Sequence, residues 1–442
     1  MTSKFHLAAY LNTSPTIHSD AAWKNPSASK FFLTPGYYQE IARTLEGACF
    51  DFAFFADNLA AHVKYGGSYK YAVEKGSQFV AALDPTYVAL AMAGVTQHLG
   101  IGVTKSTTYS SPFDLARVFA TLDHLSNGRI AWNIVTSIND AEARNYGQAK
   151  HLDRESRYER AHEFVEASVR LWESWDPDAL LFDTVGNRFA DPEKVHAANY
   201  KGKWINCEGP LTVPHSPQGR PVFMQAGASS QGLAFAARWA EIVFVIDPTE
   251  EGRRKKYRDL KTLLPQYGRA PEDVKIFPAF IPFVGETESI ALEKQAFHNS
   301  LVDPVAGLVT LSSHLDVDLS AFDLNQQFLE VAGSGGVRGT LEVAKSIAGT
   351  DKLTLAEMGR IYGEGMLVPQ IAGTPKQIAD YLEHCFDDKQ ADGFIISPAY
   401  LPGGFQDFTA LVVPELQRRN LVKSSYSGKT LRDNLGFSAS AL

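Results

Sequence analysis

Short apolar runs alternate with amphipathic helical stretches along almost the whole chain, and this alternation restricts the possible folds more than any other feature. Strands that alternate with helices form βαβ units, which pack into a parallel sheet covered by helices. Eight parallel strands are enough to close into a barrel. The sequence therefore predicts an α/β fold, a (β/α)8 TIM barrel with long insertions. The predicted strands are Phe5–Leu11, Phe50–Ala56, Leu99–Thr104, Arg129–Val135, Pro221–Ala226, Glu241–Ile246, Lys275–Phe283 and Gly393–Ser397.

Signals at helix starts support the same alternation. Pro35-Gly36 precedes YYQEIARTLEGACF, Ser111-Pro112 precedes FDLARVFATLDHL, and Asp153 precedes RESRYERAHEFVEASVRLWESW. Serine and aspartate are favoured N-caps, and proline is favoured in the first turn of a helix. We expect these helices to coat the barrel.

The chain has 442 residues, more than a plain barrel needs, and long connections account for the excess. Connections of this length usually form small subdomains or cover a binding site. We therefore predict one domain over residues 1–442, with insertions near 58–80, 176–219 and 286–355.

Composition disfavours several classes of function. The formal net charge is −8, and the basic clusters are typical of solvated helix faces rather than a nucleic acid site. No apolar run reaches membrane-spanning length, and the three cysteines are far apart without paired spacing. We expect reduced thiols in a cytoplasmic protein that binds neither nucleic acid nor membranes.

Common catalytic motifs are missing from the sequence. It has no HExxH motif, no paired-cysteine spacing and no dense Asp/His cluster, so no metal site is predicted and a metal-dependent barrel hydrolase is disfavoured. A GxSxG nucleophile elbow and a P-loop lysine are absent too.

Polar residues follow or interrupt the predicted strands near their carboxyl ends. Asn133 interrupts an apolar strand that is followed by Ser137, Asp57 follows the second strand, and Thr104 ends the third. Ligands of parallel barrels bind at this end. Each residue also has a structural alternative, since Asn133 could be a satisfied core amide and Asp57 could cap the turn at Asn58.

The strand PVFMQA ends at Gly227, and Ser229 and Ser230 then open a helix. A glycine turn before a helix N-terminus offers unpaired N–H groups, hydroxyls and the positive end of the helix dipole, which together suit a phosphate. On local sequence alone an ordinary N-cap is the more common role for Ser229. Barrels often hold a phosphate near their later strands, which favours the phosphate interpretation.

The sequence resembles a known family over nearly its whole length. LDHLSNGRIAWNIVTS followed by AEARNYG is similar to a signature of the flavin-dependent monooxygenases related to bacterial luciferase, in the branch that acts on nitrilotriacetate, EDTA, long-chain alkanes and dibenzothiophene sulfone. Further matching segments are DFAFFADNLA, STTYSSPFDLARVFATLDHL, VFMQAG and ADGFIISPAYLPG. The segments NDAEARNYG, TLSSH and LTLAEMG resemble the versions in the dibenzothiophene-sulfone enzymes.

This resemblance implies a TIM barrel and a two-component reaction. Reduced FMN, supplied by a separate NAD(P)H:FMN reductase, would react with O2, and one oxygen atom would enter an apolar organic substrate such as an aryl sulfone. The family also implies a homodimer or a homotetramer. Alternatives are oxygenation of an aminopolycarboxylate or an alkane, and a non-catalytic flavin-binding relative. An acidic substrate would need an Arg/Lys cluster at the mouth of the site, which the sequence does not locate.

The resemblance also implies roles for individual residues. His18 and His314 would assist acid–base chemistry or orient the substrate, and Arg154 stands where relatives commonly have a histidine. Asp20-Ala21-Ala22-Trp23 departs from the His-Gly-x-Trp pattern of the relatives. The predicted FMN contacts are Asp57, Thr104, Asn133, Ser137, Arg154, Tyr158, Gly227, Ser229 and Ser230.

Overall fold

The computed structural model describes residues 4–227, 229–331 and 352–437. Its main sheet runs in the order β10-β9-β4-β3-β2-β1-β13-β11, and a further pairing of β10 with β11 closes it into an eight-stranded parallel barrel. All eight predicted strands are present, so the predicted TIM barrel is confirmed. The strands are β1 His6–Leu11, β2 Phe52–Phe55, β3 Gly100–Ser106, β4 Ile130–Val135, β5 Leu180–Asp183, β6 Arg188–Ala190, β7 Tyr200–Lys201, β8 Asn206–Cys207, β9 Val222–Gln225, β10 Ile242–Val245, β11 Lys275–Val284, β12 Gln370–Gly373 and β13 Gly393–Ile396.

The short strand β12 was not predicted. It pairs in parallel with Ile281–Val284, the second half of β11, beyond the part of β11 that closes the barrel. Four residues that end in glycine carry too weak a periodicity to be recognised in the sequence.

Helices connect the strands and coat the barrel. The predicted N-caps are confirmed, because Ser111 Oγ accepts a hydrogen bond from Asp114 N (3.2 Å) and Asp153 Oδ1 accepts one from Ser156 N (3.0 Å). None of the described helices is both long and apolar enough to cross a membrane. The helices are α1 Pro35–Gly47, α2 Lys70–Lys75, α3 Pro85–Ala93, α4 Pro112–Leu125, α5 Asp140–Asn145, α6 Arg154–Trp172, α7 Ser230–Trp239, α8 Glu250–Leu263, α9 Glu288–Ser300, α10 Pro304–Leu315, α11 Phe328–Val331, α12 Leu355–Gly365, α13 Pro375–Asp387, α14 Gly403–Asp407, α15 Val413–Arg418 and α16 Leu431–Leu435.

The core between the barrel and its helices is centred on Trp132 of β4, which is fully buried. Its ring lies 5.8 Å from that of Phe119 on α4 and 6.0 Å from that of Phe164 on α6. Its indole N–H donates to the carbonyl of Lys105 at 3.0 Å. This packing fixes β4 relative to both helices and so sets the position of the polar residues at the end of β4.

The three long connections contain secondary structure of their own. Segment 58–80 includes α2, segment 176–219 includes the hairpins β5–β6 and β7–β8, and segment 286–355 includes α9, α10 and α11. Residues 332–351 of the last segment lie outside the described part of the chain. Helix α12 follows that segment and packs along α10.

Glycines allow α10 and α12 to approach each other closely. A Cβ added to Gly307 of α10 would collide with the carbonyl oxygen of Gly359 on α12 and would lie 2.8 Å from Gly363 N. Helices α10 and α12 therefore lie at a separation that only glycine permits at this contact.

We predict that Gly307→Ala destabilises the protein by about 1–3 kcal/mol, because the added methyl group forces the two helices apart. The check is the denaturant midpoint of unfolding. Gly47→Ala is the matched control, because a Cβ at Gly47 would meet nothing within 4 Å. Equal midpoints for the two variants would contradict the prediction.

Candidate active site

A cavity of about 670 Å³ opens at the carboxyl ends of the barrel strands. Its walls come from the segments that follow β2, β4 and β9, from α6 and from α10. Another cavity, of about 910 Å³, lies near Gln97, Asn127 and Gln218, which precede strands rather than follow them. The predicted site residues that line the 670 Å³ cavity are Asp57, Ser137, Arg154, Tyr158, Gly227, Ser229 and His314.

Thr104 and Asn133 are adjacent across β3 and β4, and both are 3% exposed. Asn133 Nδ2 donates to Thr104 Oγ1 at 2.8 Å, and Thr104 Oγ1 donates to the carbonyl of Phe55 at 2.7 Å. Asn133 Oδ1 has no partner among the described residues although it is buried. Because buried acceptors are normally paired, this oxygen indicates a hydrogen-bond donor that binds here.

Backbone and hydroxyl groups cluster at the N-terminus of α7. Ser229 Oγ accepts a hydrogen bond from Gly232 N at 3.1 Å, so the N-cap interpretation of Ser229 is confirmed. A Cβ added to Gly232 would lie 3.0 Å from both Gly227 Cα and the Tyr158 hydroxyl. Tyr158 therefore reaches the start of this helix. Ser230 is the first residue of α7, is exposed and is not among the cavity-lining residues.

Asp57 lies deep in the cavity beside the end of β2. Its Oδ1 accepts a hydrogen bond from Asn58 N at 3.0 Å, which confirms the turn-capping alternative. Burial raises the pKa of this carboxyl to about 7, against the smaller opposing effect of Lys105. Glu142 also lines the cavity, and burial raises the pKa of its carboxyl as well. The carboxyls of Asp57 and Glu142 are therefore held closer to their neutral forms than they would be in water.

Basic side chains collect at the mouth, which the sequence could not establish. Arg144 and Arg154 line the cavity, and neither has an ion pair or a side-chain hydrogen bond within the described residues. Arg157 is engaged, because its guanidinium donates to the carbonyl oxygens of Ser137 (2.5 Å) and Leu152 (3.1 Å). Two guanidinium groups thus remain available for an anionic group.

His314 lines the cavity from α10, and its Nδ1 hydrogen-bonds the hydroxyl of Tyr362 on α12. Its ring lies 5.9 Å from that of His62, which also lines the cavity. Burial lowers the pKa of His314 to about 4. Sequence reasoning missed His62 and Tyr362, because each lies in a long connection or on the helix after one, where no local pattern marks a site.

The structure does not bring His18 to the cavity with the other predicted residues. His18 is 2% exposed, stacks on Tyr10 with ring centroids 3.8 Å apart, and is hydrogen-bonded through Nδ1 to Ser397 Oγ at 2.7 Å. Burial lowers its pKa to about 3, so the ring is neutral at physiological pH. The ring is therefore packed in the core and paired through one nitrogen, Nδ1.

Within the described ranges, one group of three possible metal ligands lies together: Glu250, His384 and Asp388. It is on the surface and shares no residue with the cavity. Arg254 already forms an ion pair with Asp388, which weakens the group as a cation site.

Comparison with known proteins adds a family context to this geometry. The family model described as luciferase-like monooxygenase matches residues 11–391. Dibenzothiophene-sulfone monooxygenase of Rhodococcus erythropolis (strain XP) is 47% identical over 437 residues, which cover 98% of this chain and 96% of that protein. Nitrilotriacetate monooxygenase component A of Aminobacter aminovorans is 41% identical over 422 residues, covering 94% of this chain and 92% of the relative.

A solved structure shares the fold over almost the same length. Riboflavin lyase, crystallised with modified FMN and riboflavin, superimposes with a TM-score of 0.88 at 29% identity and covers 98% of this chain and 96% of its own. The sequence similarity and the fold similarity therefore extend through the barrel and the long connections alike.

Proposed function

The chain belongs to the luciferase-like monooxygenase family, and from that premise we propose that it is the oxygenase component of a two-component system. It uses reduced FMN and O2 to oxygenate an apolar organic substrate, including aryl sulfones. The observation that carries this proposal is the cavity at the strand ends, which has a helix N-terminus suited to a phosphate in its lining. Asn133, whose buried Oδ1 is unpaired in the described chain, does not line the cavity but directly precedes its lining residue Ile134 on β4. These two features match the two chemical ends of FMN.

The phosphate end of FMN fits the start of α7. There, Gly227 and Gly232 carry no side chain, so the Gln225 amide comes close to Gly227 and the Tyr158 hydroxyl comes close to the first turn of α7. A helix N-terminus favours an anion, and Arg154 supplies a guanidinium group without a partner in the described chain. We assign phosphate binding to Ser229 and Ser230 together with Gly227, Tyr158 and Arg154.

The ring end of FMN fits the part of the cavity lined by Ile134, which we call the floor and which Asn133 directly precedes on β4. Asn133 Oδ1 is free to accept from a ring N–H, and Thr104 orients the Asn133 amide by accepting from its Nδ2 at 2.8 Å. Asp57 and Ser137 line the same cavity. When bound, reduced FMN supplies the electrons that activate O2 and allow one oxygen atom to be inserted into the substrate.

The residues of the chain itself bind and orient the FMN and the substrate, and they exclude water. Apolar Phe79, Ile134 and Phe235 line the cavity, and these side chains limit the access of bulk water to the reacting groups. His314 is neutral at physiological pH because burial lowers its pKa to about 4. A neutral imidazole held by Tyr362 can orient a substrate group or relay a proton at its free Nε2.

Reduced FMN must come from another protein in this proposal, a separate NAD(P)H:FMN reductase. The name of one relative, nitrilotriacetate monooxygenase component A, supports a system with more than one component. We further propose a cytoplasmic location and a homodimer or homotetramer, and we retain the single domain with its three insertions. Size-exclusion chromatography with light scattering tests the oligomeric state.

Oxygenation of an anionic organic substrate is a second candidate function. It is favoured by Arg144, which lines the mouth and has no partner among the described residues. A substrate carboxylate could pair with this guanidinium while FMN occupies the floor. Competition assays with a dicarboxylate against dibenzothiophene sulfone would separate the two candidates.

A single-turnover reaction tests the proposed function. The protein is loaded anaerobically with reduced FMN, mixed with ¹⁸O₂ and dibenzothiophene sulfone, and followed by flavin absorbance and product mass. We expect return of oxidised FMN absorbance more slowly than in free solution, together with a product that contains one ¹⁸O atom. Flavin oxidation at the rate of free FMN, without labelled product from a panel of sulfones, alkanes and carboxylates, would reject an oxygenase in favour of a flavin-binding relative.

We predict that Arg154→Met weakens FMN binding about fivefold, the value expected for one partly exposed ion pair. Riboflavin lacks the phosphate, so its affinity should be unchanged. The dissociation constants are measured by flavin fluorescence quenching. Arg144→Met is the matched control, and equal losses for FMN and riboflavin in Arg154→Met would place this guanidinium away from the phosphate.

A further inference from the structure

His62 is a buried histidine whose two ring nitrogens have no hydrogen-bond partner within the described residues. It is 2% exposed and lines the cavity, yet neither Nδ1 nor Nε2 has a hydrogen-bond partner among the described residues. An imidazole buried with both nitrogens unpaired is costly unless a ligand or an ordered water binds them. The buried ring of His298, by contrast, is paired with Ser19 and Asn25. His62 is therefore distinguished from a structural histidine by its position and by its free nitrogens.

A second unpaired polar group lines the same cavity as His62. Ser313 on α10 lines the same cavity, and its buried hydroxyl has no partner in the described chain. Ser313 immediately precedes His314, whose ring stands almost perpendicular to that of His62 at 5.9 Å. Three polar side chains thus come from two separate connections to one wall, which we call the His62 wall: His62, Ser313 and His314.

Tyr362 determines what His314 presents to the cavity. Burial raises the pKa of the Tyr362 hydroxyl, so it keeps its proton, and His314 Nδ1 is its hydrogen-bond partner in the described structure. A neutral imidazole that accepts at Nδ1 carries its proton on Nε2. His314 therefore offers an N–H donor on the side of the ring away from Tyr362.

The His62 wall carries no positive charge at neutral pH. Burial lowers the pKa of His62 to about 3, with a smaller contribution from His314, and lowers that of His314 to about 4. The nearby lysine, Lys64, is already paired with Asp316 at 2.7 Å. Uncharged N–H and O–H donors suit a neutral acceptor oxygen, whereas a carboxylate is bound better by cations.

We propose that His62 and Ser313, together with His314, bind a neutral acceptor oxygen of the organic substrate and so select substrates that carry a sulfonyl or carbonyl oxygen on an apolar body. This inference rests on the proposed function, because it takes the cavity to be the oxygenase site. Phe79 and Ile134 line the same cavity and offer apolar surface to the remainder of such a substrate.

Paired ligands test this selection without turnover. Dibenzothiophene sulfone is compared with dibenzothiophene, and fluorenone with fluorene, by equilibrium dialysis against the full-length protein. We expect the wild type to prefer the oxygen-bearing member of each pair. His62→Phe and Ser313→Ala should each reduce that preference about tenfold, the effect of one lost hydrogen bond. His62→Gln, which keeps an N–H donor, should restore most of it.

Ile134→Val is the matched control, because it alters an apolar residue of the same cavity, removes no hydrogen-bonding group and, unlike a change of Phe79, leaves the ring contact with His62 intact. It should change the affinity for both members of a pair by the same factor. Circular dichroism of each variant establishes that the comparison is made on folded protein. If the wild type shows no preference in either pair, or prefers fluorene-9-carboxylate to fluorenone, the inference is overturned. An unchanged preference in both His62→Phe and Ser313→Ala would overturn it as well.

The same experiment separates this inference from the proposed function. Ligand preference that depends on His62, in a protein that yields no labelled product in the single-turnover assay, would reject the oxygenase and retain the subsite. Labelled product together with a preference that ignores His62 would retain the oxygenase and reject the subsite.

Discussion

His314→Ala is expected to lower the turnover number about 100-fold, at the lower end of the contribution of a positioned acid–base group. The reason is that His314 is a cavity-lining imidazole held in one orientation by Tyr362. The affinity for FMN should stay within twofold, since none of the assigned phosphate and ring contacts lies on α10 or α12. Steady-state kinetics with saturating reduced FMN measures the first quantity, and fluorescence quenching measures the second.

Tyr362→Phe is the matched variant for this prediction. It keeps the aromatic ring and removes only the hydroxyl that fixes His314 Nδ1. We expect a loss of turnover of about fivefold to tenfold, the effect of one neutral hydrogen bond. Turnover of His314→Ala equal to that of the wild type would exclude a role in the reaction. An equal loss of FMN binding and turnover would assign His314 to the cofactor instead.

Glu241→Gln is expected to lower the free energy of unfolding by about 3–5 kcal/mol, because it leaves two buried guanidinium groups without their counter-charge. Glu241 is fully buried before β10, where its Oε2 accepts from Arg220 (3.0 Å) and from Phe223 N (2.9 Å), and its Oε1 accepts from Arg432. Arg432 lies on α16, so this network ties the C-terminal helix to the amino ends of the strands.

The pH dependence of stability provides a second test of this network. Burial alone would raise the pKa of Glu241, but Arg220 and Arg432 outweigh it and lower the pKa to about 2. A carboxyl whose pKa is lowered on folding contributes stability that is complete above its unfolded pKa of about 4.5 and is lost as the pH falls through the folded value. The wild type should therefore lose stability between about pH 4.5 and pH 2, and Glu241→Gln should lose less over that range.

Urea unfolding followed by circular dichroism measures both effects. Asp388→Asn is the control, since it removes an exposed ion pair with Arg254 and should shift the midpoint little. A midpoint for Glu241→Gln equal to that of the control would show that the network is dispensable for stability.

Much of the barrel could be predicted from the sequence because its signals are local. Each predicted strand is an apolar run bounded by polar or glycine-containing steps, and several helices begin at a recognisable N-cap such as Ser111 or Asp153. Burial of the whole strand imposes that pattern on consecutive residues, so neighbouring positions are enough to detect it. The strand β12 escaped because its sequence, QIAG, has only two consecutive large or small apolar side chains and three of its four residues are only partly buried, unlike the fully buried FAFF of β2.

The floor of the site was predictable for the same reason. Thr104 and Asn133 follow from the strand pattern, and the register of β3 and β4 then places them side by side. Asp57 was predicted from its position directly after a strand, and Ser229 was predicted from the glycine–serine turn before a helix. In both cases a local sequence pattern was enough to identify the residue as a candidate. Their roles toward FMN come from the family resemblance and remain proposals.

The His62 wall and the arginines at the mouth of the cavity could not be located without the tertiary structure. His62 and His314 are 252 positions apart in the sequence, as their numbers give, and meet because α10 packs against the segment that contains α2 and against α12. That packing depends on Gly307 and its neighbours, and no local periodicity encodes which long connection will face another. The sequence by itself determined the barrel and the residues at its strand ends, since these depend on local burial patterns. Tertiary structure alone determines the partners of His314, the unpaired ring nitrogens of His62 and the position of Arg144, because these depend on distant segments that pack over the strand ends.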